Sequence, residues 1–183
     1  MTYKITPYLL SLAFSFSVTA ANADVSGLAV GVQGATLSTH MDRVHNGYTG
    51  SLNQHPKAYG AHARFLVQDY YGWTSGVEVR YQEYNGSVLN AGKGKETFVN
   101  SWDVFGVLGF QEGKLFPHAL AGITVLKTSK SVNDCMSYGV GLTYEISDHL
   151  DTTFRAVKKE CDGPYQGGDL DVIDLSLALS WRF

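Results

Sequence analysis

Polar and apolar positions alternate along most of the chain, and the last twelve residues do so without a break. Ile173, Leu175, Leu177, Leu179, Trp181 and Phe183 share one face, while Val172, Asp174, Ser176, Ala178, Ser180 and Arg182 share the other. Successive side chains of an extended strand point to opposite sides, so a period of two predicts a strand with one apolar face. The same signal recurs at 28–33, 59–68, 73–82, 101–110, 115–125, 136–146 and 150–157. That makes eight predicted strands, and no segment has the 3.6-residue periodicity of a helix.

The connections between these strands are unequal in a regular way. Short turns at 69–72, 111–114 and 147–149 follow the second, fourth and sixth strands. Longer connections near 38–57, 84–97, 127–134 and 160–171 take the remaining places. In an up-and-down meander this puts all short turns at one end and all long loops at the other. Transmembrane barrels have this asymmetry, and strands of about 9–11 residues suffice to cross a bilayer when tilted.

Alternation does not say which face points outward; side-chain volume does. The interior of an eight-stranded barrel is only just wide enough for side chains to fill. One set of positions is bulky and aromatic, and the other is rich in glycine (Gly31, Gly60, Gly76, Gly122, Gly139, Gly141) with charges of both signs. The first set is predicted to face lipid and the second to fill the lumen. Aromatic residues gather near strand ends: Tyr71, Trp73, Phe110, Phe116, Tyr144, Trp181 and Phe183 at the short turns, Tyr59, Tyr81, Trp102 and Tyr138 toward the loops. Two such belts are what the two membrane–water interfaces select.

Composition sharpens this picture. The 183 residues are 44% hydrophobic and 17% charged, which excludes a disordered chain. A net charge of −3 gives no broad basic face for nucleic acid. Residues 1–23 read as a secretory signal: Lys4 is the positive n-region, 8–18 an apolar core too short to span, and Ala21-Asn22-Ala23 a small-x-small cleavage site. The expected mature domain is 24–183, in an oxidising compartment where disulfides persist.

The C-terminal run resembles the last strand of bacterial outer-membrane barrels. Leu175, Leu177, Leu179, Trp181 and Phe183 match its alternation and terminal aromatic residue. With eight predicted strands, the chain resembles the small surface barrels of the OmpA/OmpX/Ail type. That resemblance implies an all-β, eight-stranded antiparallel transmembrane barrel in the cell outer membrane, with outer-membrane lipid, lipopolysaccharide and the barrel-assembly machinery as partners.

Centring the sixth–seventh hairpin on Asp148 makes cross-strand partners sum to 296, so Gly141 faces Arg155, Leu142 faces Phe154 and Cys135 faces Cys161. These are the only cysteines, and directly opposed residues lie close to disulfide range. A bridge across the outer ends of that hairpin is expected. Around the 69–72 turn the sum is 142, setting Phe65 against Val77 and Arg64 against Glu78. Arg64, Glu78, Arg80, Asp103, Glu145, Asp151, Arg155, Asp174 and Arg182 share the inward parity, five carboxylates against four guanidinium groups. Ionised groups in a narrow interior are costly unless paired, so they are expected to form a polar plug.

The remaining chemistry is sparse. His40, His45 and His55 share the first long loop with Asp42, but their spacing matches no metal-ligand signature. Gly92-Lys93-Gly94-Lys95 lacks the phosphate-loop spacing; the two lysines read as a basic loop tip suited to lipopolysaccharide. Some eight-stranded outer-membrane barrels remodel lipid A, and the deacylase kind carries His-x-Ser; no histidine here is followed two residues later by serine. The expectation is a barrel without enzymatic activity, metal or cofactor. Its extracellular loops would contact a host-surface or extracellular ligand, with an envelope-integrity role as the alternative. The longest loop, 38–56, offers Met41, Arg43, His45, Tyr48 and Asn53, and loops on a rigid scaffold are where binding concentrates.

Overall fold

The computed structural model describes residues 26–41, 55–69, 71–85, 88–90, 95–129, 131–162 and 169–183. The expected signal segment lies outside them. Among the described residues nine strands follow one another: β1 (Gly27–Met41), β2 (Lys57–Gln68), β3 (Trp73–Asn85), β4 (Val88–Asn90), β5 (Lys95–Phe110), β6 (Leu115–Thr128), β7 (Val132–Ser147), β8 (Leu150–Asp162) and β9 (Asp169–Arg182). Among the described residues no helix occurs. Each long strand pairs antiparallel with its chain neighbour, β1 with β9 and β3 with β5, so eight strands close into a barrel with no free edge. The ninth, β4, pairs with the loop-end extension of β5.

Strand ends differ from the sequence reading mostly on the loop side. β1 continues to Met41, β6 to Thr128 and β8 to Asp162, each ending inside a segment read as loop. Once paired, a strand keeps its hydrogen-bond ladder beyond the apolar band, where turn residues and polarity had suggested a break. The third connection shrinks accordingly, with β6 ending at Thr128 and β7 beginning at Val132.

At the other end the turns are tight for identifiable reasons. The Asp69 carboxylate accepts hydrogen bonds from the Tyr71 and Trp73 amides, and Gly72 adopts a positive φ of 87°. Gly113, at φ 58°, turns the β5–β6 connection. These are positions where a side chain would strain the backbone.

Both hairpin registers are those obtained from the numerical sums. Arg64 lies opposite Glu78 and Phe65 opposite Val77, while Gly141 opposes Arg155, Leu142 opposes Phe154 and Cys135 opposes Cys161. The apolar set points outward. Val32, Trp73, Trp102, Leu108, Val140, Phe154, Leu177 and Trp181 are all more than half or about half exposed. They belong to a continuous belt around the barrel, far larger than the apolar patches a monomer shows to water. Rings mark its borders: Trp73 meets Phe110 edge-on at 5.9 Å at the short turns, and Tyr81 packs on Trp102 at 4.9 Å toward the loops.

One aromatic assignment is corrected. Phe116 does not belong to the outer belt; it is 1% exposed, inside the barrel, stacked on His118 at 4.8 Å. Leu115 beside it points outward, and strict alternation turns Phe116 in.

Candidate functional site

The lumen is filled in layers. At the loop end, Leu37, Tyr84, Phe98, Leu126, Leu170 and Val172 pack with the two cysteines into an apolar cap. A second apolar cluster, Leu66, Phe105, Val107, Phe116, Leu120 and Val157, packs within the same lumen. Buried alongside these clusters are the ionised groups that inward parity had collected.

Their partners are set by the barrel's cross-section as much as by strand register. Arg64 lies opposite Glu78 in the β2–β3 ladder, yet its guanidinium reaches across to Asp151 on β8 at 2.7 Å and donates to Thr143. Glu78 is taken by Arg155 at 2.9 Å, with Arg80 Nε at 3.9 Å. Arg80 also pairs with Asp103 at 3.0 Å and Asp174 at 3.8 Å, and lies 4.6 Å over the Phe105 ring. Arg182 closes the short-turn end on Glu145 at 3.0 Å.

One member was missed by the sequence reading. Lys159 is fully buried and bridges Asp103 at 3.1 Å to Asp174 at 3.3 Å. The predicted seventh strand stopped at Val157, two residues short; extending its parity through β8 finds Lys159. With it, the buried cations Arg64, Arg80, Arg155, Lys159 and Arg182 match the carboxylates Glu78, Asp103, Glu145, Asp151 and Asp174 one for one.

Room for these long side chains comes from inward glycines. A Cβ at Gly141 would collide with the His118 imidazole, and one at Gly31 with that of His62. Both rings are buried in the lumen and hydrogen-bonded, His62 Nε2 with Ser180 at 2.9 Å and His118 Nδ1 with the Phe116 carbonyl at 3.0 Å. Both rings pack among the lumen side chains, and His62 has the Ser180 hydroxyl beside it.

Cys135 and Cys161 form a disulfide within the apolar cap. It joins β7 to β8 over a separation of 26 residues. Closing a loop of that length stabilises a fold by about 3 kcal/mol in the chain-entropy picture. The Cys135→Ala/Cys161→Ala double variant is therefore expected to lose about that much in denaturant unfolding. Two thiols labelled in the unreduced, denatured protein would remove the bridge and the expectation with it.

The loop candidates are reached only in part. Met41 ends β1, and Arg43, His45, Tyr48 and Asn53 lie outside the described residues, as do Lys93 and Asp42. Among the described residues no group of histidine, cysteine and acidic side chains could hold a metal. Leu175, Leu177, Leu179 and Trp181 do form one outward stripe on β9, continued by exposed Phe183.

Above the outer aromatic belt, toward the loops, the outward face becomes charged. Tyr59 and Tyr81 both donate to Glu83, at 2.7 and 3.0 Å. Lys158 pairs with Glu160 at 2.7 Å and Asp171 at 3.2 Å, and Tyr138 donates to Glu160. These groups sit where an apolar wall gives way to water.

Comparison with solved structures finds the same architecture. The chain is similar to Neisserial surface protein A, with 10% identity and a TM-score of 0.54 over 86% of this chain and 98% of that one. It is also similar to the N-terminal β-barrel domain of Pseudomonas aeruginosa OprF, with 14% identity and a TM-score of 0.51 over 84% and 97%. No protein-family model and no curated protein sequence matches it. At these identities the likeness is one of fold, that of small eight-stranded outer-membrane barrels.

Proposed function

We propose that this chain is an exported, integral outer-membrane barrel without enzymatic activity, whose loop end engages a ligand outside the cell. The observation that carries this reading is the filled lumen. Among the described residues, two apolar clusters and a charge-balanced belt occupy the lumen, which supports a reading in which interaction falls to the wall, the turns and the loops. The short turns are minimal. The loop end carries longer connections on strands that run past the apolar band, braced by the disulfide.

In this reading the short turns face the periplasm and the loops face the exterior, the usual orientation of such barrels. Residues 1–23 are the export signal, so the membrane-extracted protein begins at Asp24. The similar Neisserial protein is by its name a surface protein. The segment after β1, with Arg43, His45, Tyr48 and Asn53, is the foremost contact region; Lys93 and Lys95 add a basic tip.

Deleting residues 42–53, just beyond β1, is the test. Adhesion to host cells or matrix should be lost while heat-modifiable gel mobility, the sign of a folded barrel, is retained. Unchanged adhesion, with detergent sensitivity only in a complete knockout, would assign the chain to envelope integrity instead. Lipid A of unchanged mass in a null strain is the expected result for a barrel that catalyses nothing.

A further inference from the structure

The outer wall has a step in it. Along β1 the outward positions run Leu28, Val30, Val32 and then Gly34 and Thr36, so the bulky surface stops halfway up the strand. Nothing lies within 4 Å of where a Gly34 Cβ would be. On the β9 side stand Leu175 and Leu177, with Phe154 of β8 beyond; on the β2 side stands Lys57. Together they line an open groove of about 380 Å³ on the membrane-facing wall.

We infer that this groove holds one acyl chain of lipid A, with Lys57 pairing one of its phosphates. The inference rests on the outer-membrane reading above. Three features point to this occupant. The groove has an apolar wall and a floor of small residues, the shape of a hydrocarbon chain lying along the barrel. It lies in the loop-side half of the wall, the leaflet that lipid A occupies. Its rim carries an available cation. Lys158 is already paired with Glu160 and Asp171, and the nearby Glu83 carboxylate is engaged by two tyrosine hydroxyls. Lys57 takes none of the salt bridges among the described residues. An ammonium is a point-like phosphate binder, and here it stands at the height where a saccharolipid headgroup meets the hydrocarbon.

Native mass spectrometry of the folded barrel in non-ionic detergent, titrated with bisphosphorylated lipid A, tests this. Wild type should retain one lipid. Gly34→Leu fills the groove and should weaken retention about tenfold. Gly106 also faces outward, and a Cβ there would come no closer than 3.6 Å to a neighbour, so Gly106→Leu should retain lipid as wild type does. Lys57→Gln should weaken binding of the bisphosphorylated form and leave dephosphorylated lipid A unaffected. Equal retention by Gly34→Leu and Gly106→Leu overturns the assignment. So does phosphatidylglycerol held as well as lipid A, or a dimer abolished by Gly34→Leu in place of a lipid adduct. A chain monodisperse without detergent would instead sink the membrane reading; a detergent-requiring, heat-modifiable barrel that fails these comparisons sinks only the groove.

Discussion

Replacing Arg80 with methionine is expected to lower the unfolding free energy of the barrel by about 3–5 kcal/mol, the usual cost of removing one partner from a buried ionic cluster. Arg80 is fully buried and stands among Glu78, Asp103 and Asp174. Without it, five buried carboxylates face four cations, and only Lys159 and Arg155 remain near the three it served. Methionine keeps much of the volume over Phe105, so the loss reports charge more than packing. Urea unfolding in phospholipid vesicles, followed by tryptophan fluorescence, measures it. The Arg80→Met/Asp103→Asn double variant restores the balance of charge and should be less unstable than the sum of the two single variants. A single-variant loss below about 0.5 kcal/mol, within the range of an ordinary surface change, would mean that the belt is not held by its charges.

The second large effect concerns the outer wall. Val140 is 63% exposed at the middle of the outward stripe of β7, and Val132 is equally exposed at its loop end. Val140→Arg is expected to cost about 2–4 kcal/mol in vesicles, and Val132→Arg about 0–1 kcal/mol, because the penalty for arginine depends on depth in the bilayer. In water both positions would accept arginine alike. A flat response between them would therefore remove hydrocarbon from the wall, and with it the orientation of every other residue. The same pair compared by heat-modifiable mobility on membranes gives an independent reading.

Much of this barrel was legible because its information is one-dimensional. A period of two assigns faces, and a short turn fixes a register with a single integer; both hairpin sums are met in the structure. What the sequence obscured needed the third dimension. Arg64 was set against its ladder neighbour Glu78, but a lumen only a few side chains wide lets it reach Asp151 from another hairpin. Lys159 was lost because its strand was ended at a polar stretch, although Asp103 and Asp174 were waiting for a cation. Phe116 was read by its aromatic nature when its parity spoke for the interior. Strand ends beyond the apolar band carry no contrast between faces, so the ladder alone extends β1 to Met41. The loops have no periodicity to read; their chemistry is individual.

The position of the cystine has a consequence for biogenesis. Both sulfurs lie within the apolar cap inside the closed cylinder, with Cys135 and Cys161 3% and 4% exposed. An oxidoreductase cannot dock on them once the seam between β1 and β9 is closed. In the exported reading proposed above, oxidation belongs to the interval between translocation and insertion, when the β7–β8 hairpin is still an open ribbon. A cell deficient in thiol oxidation would commit reduced copies to its envelope, and those copies could not be mended afterwards.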